Sequence, residues 1–321
     1  MAAPLDDVRP LLAGIVRWDD EGATVEIGAE EVRVQWDPER LRAILGDCDG
    51  RLALSSIAER HGAEGRALIE SLIERRAVVN GAEAWRVLHR QSSVGSALGQ
   101  PIDDDELAAL EGGSFAPSRA TGTRVALEPE PGTTGQLAAR RRSAAPGGPS
   151  KPATFASLST ILAATYGVTS EAGETRSGTV PSAGALYPLA LHVLLREPLP
   201  PADRGLWWHD PMSLTLGQVA GDAAQVDELF VTEPWCAALL ARRQPIVFLS
   251  ADLERPSRKY GARAYRYGLM EAGAAMQAAY LTATELGVPI RAIGGIDDGA
   301  VHRFLQLPDT TVPLLAILIG T

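Results

Sequence analysis

Apolar and polar positions follow two periods along this chain, and the changes of period mark its elements. Near the start, Gly14 to Trp18 and Thr24 to Ile27 read as short strands around the Asp19-Asp20-Glu21-Gly22 turn, and Val32 to Trp36 alternates as a third. Asp37-Pro38 then opens a helix, with aspartate as N-cap and proline at the first position. Its apolar residues Leu41, Ile44 and Leu45 fall at i, i+3 and i+4. A second helix is predicted from Leu54 to His61, ending at Gly62. A third runs from Glu64 to Arg76 with Leu68, Ile69, Leu72 and Ile73 on one face, and Ala77 to Val79 follows as a closing strand. Residues 1–85 therefore read as one small winged-helix-like domain of strands and three short helices.

The pattern thins over residues 86–136, a connector. Ile102 to Leu110 predicts a short helix whose acidic first turn, Asp103 to Glu106, suits a helix N-terminus. Glu111 to Gly135 is rich in Gly, Pro, Thr and Ser and reads as a loose linker. Periodicity returns in residues 137–321. A helix is predicted over Thr154 to Tyr166, with Leu158, Ile161 and Leu162 inward and Gly167 at its end. Leu189 to Leu195, Pro245 to Ala251 and Val312 to Ile319 are apolar runs suited to buried strands, and Asp203 to Gln218 to a hairpin. A long helix after Gly261 reaches Leu286, with Gly268, Gly273 and many alanines that permit close helix packing. A short strand leads into Gly294-Gly295, and a helix follows from Asp297 to Leu305.

Composition narrows the function. The 321 residues suit two domains, and a 45% hydrophobic content suits globular cores. Net charge is −10, and the first 90 residues carry twelve arginines against seventeen carboxylates, so a nucleic-acid partner is excluded. Cys48 and Cys236 make no disulfide framework and read as core thiols of a reducing compartment. Without a membrane-length apolar run or a signal pattern, the expectation is a cytoplasmic protein with no membrane partner. The five histidines are scattered and no CxxC or HExxH occurs, so no metal site is expected. Lys151 and Lys259 are the two lysines among 30 basic residues. Lysine can give up a proton where arginine cannot.

Four stretches carry candidate chemistry. Arg176 to Pro188 (RSGTVPSAGALYP) fits neither period and is punctuated by Pro181, Gly184 and Pro188. Small residues there let backbone approach a flat ligand; the plainer alternative is a tight turn before a core strand. Arg141, Arg142 and Ser143 could grip a phosphate through guanidinium forks and a hydroxyl, or form a solvated basic patch. Lys259-Tyr260, within RPSRKYG, is a base candidate or a surface lysine beside a core tyrosine. Gly294-Gly295, within VPIRAIGG, precedes a helix start, where backbone N–H groups suit anions.

Taken together, these four stretches resemble the flavin-dependent dehydrogenases (SagB/McbC/ThcOx type) that oxidise azolines in thiazole/oxazole-modified peptide biosynthesis, a branch of the nitroreductase superfamily. The resemblance spans roughly residues 137 to 320. It implies an α+β, nitroreductase-like FMN domain, a homodimer with flavin at the subunit interface, and dioxygen as the final oxidant. By the same resemblance, Arg141, Arg142 and Ser143 hold the flavin phosphate. Arg176, Pro181, Ser182, Ala183, Gly184 and Gln277 lie at the flavin, with Gly294 and Gly295 near the phosphate. Lys259 and Tyr260 act on the substrate. The family pattern RRSxR departs here to RRSAAPGGP, which makes Arg291 the candidate replacement, and a family His and Asn are Ala274 and Ala278. Residues 1–85 resemble a precursor-peptide recognition element that holds a leader as an added strand, or else a scaffold or docking piece for a cyclodehydratase partner. The implied substrate is a modified precursor peptide. An NAD(P)H-fed nitro- or quinone reductase and a non-catalytic recognition protein are the alternatives.

Overall fold

The computed structural model describes residues 6, 8–13, 15–27, 30–50, 52–81, 89, 132–172, 175–219, 226–230, 234–261 and 263–320. Residues up to 81 form a strand-rich unit around a core of their own. Strands β1 (Pro10–Leu12) and β5 (Val78–Asn80) pair as an antiparallel ribbon. Between them β2 (Ile15–Asp19), β3 (Gly22–Ile27) and β4 (Glu30–Gln35) make an antiparallel meander. Helix α1 (Pro38–Gly46) begins where Asp-Pro predicts, with Asp37 Oδ1 accepting from the Arg40 N–H at 2.8 Å. Helix α2 (Leu54–Glu74) spans the two helices predicted on either side of Gly62, which breaks it with φ 72° and ψ −175°. Leu41, Ile44, Ile57 and Ile69 meet Val25 and Val34 in this core. Nothing in the apolar pattern marks β1, which is three residues long.

Residues from 132 onward build a six-stranded antiparallel sheet in the order β10-β9-β8-β11-β13-β12. Its strands are β8 (Leu189–Leu195), β9 (Gly205–Asp210), β10 (Thr215–Val219), β11 (Ile246–Asp252), β12 (Ile290–Ile293) and β13 (Thr311–Ile319). The helices are α3 (Thr133–Arg140), α4 (Phe155–Thr165), α5 (Pro234–Leu240), α6 (Glu254–Tyr260), α7 (Arg263–Leu286) and α8 (Asp298–Phe304). Helices cover both faces, so β8, β11 and β13 read as continuous apolar runs. On β11, Val247, Leu249 and Ala251 join the core under α4 and α7, while Ile246 and Phe248 join the core under α5 and α8.

Several elements differ from the sequence reading. Thr175–Gly178 is a strand, β7, paired with β6 (Val168–Ala172), so the loop before β8 starts only at Thr179. This polar ribbon has no apolar alternation to reveal it. Helix α3 starts inside the predicted linker. Gly273 has open space around it, whereas a Cβ on Gly268 would meet Leu253 at 3.3 Å and Ala251 at 3.7 Å. Gly268 itself approaches the end of β11 and Leu253, while the alanines of α7 share one core with Leu158, Ile161 and Leu162 of α4, the close helix packing expected. The helix predicted over 102–110 lies outside the described residues. His89, in the connector, hydrogen-bonds through Nδ1 to the Tyr265 hydroxyl of α7 at 3.3 Å.

Among the described residues no helix is long and apolar enough to cross a membrane. Cys48 and Cys236 are both buried and neither is in a disulfide. Burial, with Asp47 and Asp49 nearby, pushes the Cys48 thiol up to about 12. The reactive form is the thiolate, so neither cysteine should take up iodoacetamide at pH 8 until denaturant is added; mass spectrometry of the alkylated native protein checks this.

Candidate functional site

The turn feeding β8 is closed by the Ala185 N–H donating to Ser182 O at 3.1 Å. Gly184 sits at φ 62°, and Ala185 and Tyr187 also lie in the left-handed region at 53° and 45°. Helix α6 carries Lys259 and Tyr260 to this turn. The pair forms the last residues of α6, which Gly261 ends at φ 56°, and not the start of the long helix. Proline at 256 and the absence of an apolar period hide this short helix in the sequence. A Cβ on Gly184 would lie 2.5 Å from Tyr260 Oη and 2.7 Å from Lys259 Nζ. Bare backbone at 184 is therefore what lets amine and phenol reach the turn. Lys259 Nζ stands 5.3 Å from the Tyr260 ring centroid, and Tyr260 packs edge-on against Tyr267 at 5.0 Å. Lys259 is exposed, and Arg258 is engaged by Glu254 at 2.7 Å.

Beneath the turn lies a residue that periodicity does not single out. Glu271 of α7 is 3% exposed and accepts from the Tyr166 hydroxyl at 2.8 Å. The Tyr166 and Ser182 hydroxyls favour its charged form, but burial outweighs them and raises its carboxyl above the ordinary range. Tyr166 in turn accepts from the Leu189 N–H at 3.1 Å, and Ser182 Oγ from the Tyr187 N–H at 2.8 Å. Burial and Glu271 both push the Tyr166 phenol upward, keeping it a donor. The available signal was a glutamate on the same buried stripe as Gly268, Ala272 and Ala275.

A second cluster joins the start of this domain to β12. The Ala144 N–H donates to Ile290 O at 2.8 Å, and Arg291 Nη1 to Ala144 O at 3.1 Å. Tyr280 of α7 sits at the centre. Its hydroxyl shares a hydrogen bond with Ser143 Oγ at 3.0 Å and accepts from the Ala292 N–H at 2.9 Å. The Arg141 guanidinium lies 5.2 Å over the Tyr280 ring, and that of Arg291 4.3 Å over Trp235. Sequence reasoning missed Tyr280. Arg142 turns back to the end of α3, donating to Ala139 O at 2.9 Å and Arg141 O at 2.8 Å.

The remaining candidates scatter around these clusters. Arg176 lies in β7, and its side chain is outside the described residues. Pro181 is exposed, while Ser182 and Ala183 are half-buried. Gln277 is exposed on α7, on the face that also shows Met270. Gly294 has open space around it, and Gly294 O accepts from the Ile296 N–H at 2.9 Å. Anion binding expected at the following helix start meets an obstacle: the Asp297 carboxylate already accepts from the Ala300 N–H at 2.7 Å. Trp207 packs against the core and donates through Nε1 to Asp203 O at 3.1 Å, while Trp208 is 39% exposed. A 340 Å³ cavity lined by Phe155, Trp207 and Leu216 holds none of the predicted site residues.

Gly184→Ala should cost about 1–2 kcal/mol, the penalty for an L-residue in the left-handed region, measured by urea unfolding. An unchanged or raised midpoint would contradict the turn geometry.

Comparison with known proteins agrees with this architecture. The nitroreductase family model matches residues 140–321. A Methanocaldococcus jannaschii protein, MJ1384, whose name places it among nitroreductases, is 35% identical over 175 residues, 53% of this chain and 82% of its own. Among solved structures, a chain of the E. coli microcin synthetase McbBCD complex, with truncated pro-MccB17 bound, superposes with TM-score 0.56 at 18% identity, over 75% of this chain and 92% of that one. A Ralstonia eutropha structure named for the same family gives 0.47 at 20% identity, over 64% and 86%. Family members typically bind FMN. A sheet covered by helices on both faces, a family match over its whole length and a relative aligned over most of its own together establish that this chain belongs to the nitroreductase family.

Proposed function

We propose that this chain is an FMN-dependent dehydrogenase that oxidises thiazoline or oxazoline rings of a ribosomally synthesised peptide to thiazoles or oxazoles, an enzyme of the SagB/McbC type. The observation that carries this reading is the meeting of Lys259 Nζ and Tyr260 Oη at the bare backbone of Gly184. The residues fit an FMN. Arg141, Ser143 and Arg291 gather cationic and hydroxyl donors suited to its phosphate, with Arg142, Gly294 and Gly295 nearby. Pro181 to Gly184 offer a side-chain-poor edge to its ring, with Arg176 and Gln277 as further flavin contacts. Bound FMN would supply the two-electron acceptor for the ring Cβ hydride, with dioxygen as final oxidant.

Aromatising the ring also needs a base for the acidic proton at Cα. Lys259 Nζ takes that proton, and Tyr260 Oη beside it orients or shares it. Free lysine and tyrosine titrate near about 10, so the pair works once substrate and cofactor exclude water from the exposed amine.

The E. coli complex, a synthetase with a truncated pro-peptide bound, supports a peptide substrate and a partner enzyme such as a cyclodehydratase. Residues 1–85 are the recognition or docking module, with winged-helix-like character; 86–136 connect it to the FMN domain, 137–321. The exposed face of α7, where Leu269 and Met270 are 45% and 65% exposed, is the surface for a second copy. The name of the M. jannaschii relative favours a second reading, an NAD(P)H-fed reductase. Such a reduction needs no base beside the flavin, which is why the Lys259-Tyr260 pair places it second.

With an azoline-containing peptide, the wild type should remove two hydrogens per ring, seen by mass spectrometry. Lys259→Ala should keep its flavin and slow this at least about 10²-fold, the usual scale of a positioned base. Undiminished azole formation in that variant would contradict the base assignment, and NADPH oxidation in place of azole formation would favour the reductase.

A further inference from the structure

The turn that meets Lys259 and Tyr260 is strained, and strain needs a holder. Two of its non-glycine residues, Ala185 and Tyr187, have left-handed backbone. Such residues persist where surrounding structure over-determines them. One line of ties on this turn leads to a buried carboxylate. The Ser182 hydroxyl, at its start, receives the Tyr187 N–H and favours the charged form of Glu271. Leu189, at its end, donates its N–H to Tyr166, whose hydroxyl donates to Glu271. The Arg255 guanidinium of α6 donates to Leu186 O, and the Asp252 N–H to Pro188 O at 2.9 Å. A further tie, from the Gly178 N–H to Tyr187 Oη at 2.7 Å, fixes the middle of the turn to β7. Burying a carboxylate is costly unless hydrogen bonds satisfy it, and the Tyr166 hydroxyl donates to this one. An alanine would pack on this stripe as its neighbours Ala272 and Ala275 do, so packing alone does not call for a glutamate.

We propose that Glu271 is a positioning residue: from the buried face of α7 it holds, through Tyr166, the Leu189 end of the Ser182–Leu189 turn and so sets where Gly184 meets Lys259 and Tyr260. It acts on the amine and the phenol through Tyr166 and the turn. This assignment rests on the reading of Lys259 and Tyr260 as the reacting pair, and its geometry belongs to the chain alone.

The chain's two lysines make the test direct. Reductive methylation with ¹³C-formaldehyde labels Lys151 and Lys259, with the α-amino group, and a Lys151→Arg variant assigns the signals. Lys151 is an internal control, because its Nζ donates to Leu286 O at the far end of α7. In flavin-free protein, Glu271→Gln should move the Lys259 methyl signal by more than its line width and leave that of Lys151 in place. A folded Glu271→Gln protein with both signals superimposed on wild type would overturn the proposal, as would equal movement of both, which means a general loosening of α7. Should Glu271→Gln not fold, Tyr166→Phe removes the hydroxyl that links Glu271 to the turn and carries the same two outcomes. Neither flavin nor substrate enters the measurement. A wild type inactive on azolines would therefore sink the proposed function without deciding this test, and an active enzyme with an unmoved Lys259 signal would do the reverse.

Discussion

The site depends on helix α7 seating closely against α4 and the sheet. Gly268, Ala272, Ala275, Ala279 and Ala283 make the buried stripe that allows this, one small residue each turn. Larger side chains on the stripe would lift the helix away. With α7 seated, two of its buried residues that carry polar groups have positions fixed at the site. Glu271 and Tyr280 are nine residues apart, which at the rise of an α-helix is about 13 Å along the axis. Each then organises one end of the site: Glu271 the turn that meets Lys259 and Tyr260, Tyr280 the joint between Ser143 and β12.

The two ends differ in electrostatic character. Around Tyr280, the guanidinium groups of Arg141 and Arg291 each lie over an aromatic ring, which holds a charge in place without neutralising it with a carboxylate. That arrangement leaves cationic donors for an anionic ligand group. Around Gly184 the chain instead presents backbone, one amine and one phenol. A ligand with a phosphate at one end and a flat, redox-active ring at the other matches both ends, and this match underlies the assignment of FMN.

How much of this was legible follows from where the information sits. The strand β8, the helix α4 and the cap at Asp37 are written locally, in apolar spacing and in residues that make one bond to a near neighbour. The RRS, PSAG, Lys-Tyr and Gly-Gly stretches could be recognised for the same reason, as short strings. What could not be read is the set of partners across the fold. Tyr166 meets Glu271 from 105 positions away, and Ser143 meets Tyr280 from 137. No periodicity encodes such pairs. Helix α6 and the β6–β7 ribbon escaped for another reason: their faces are polar, and tertiary contacts rather than amphipathic spacing hold them. Lys259 is exposed, the surface position given as the plainer alternative for it.

The central claim is that these two clusters form one flavin site. The visible absorbance of the purified chain, with mass analysis of what heat releases, tests it most directly. The account predicts one FMN per chain, retained through purification or taken up on addition. A folded chain that neither carries nor binds FMN would contradict it.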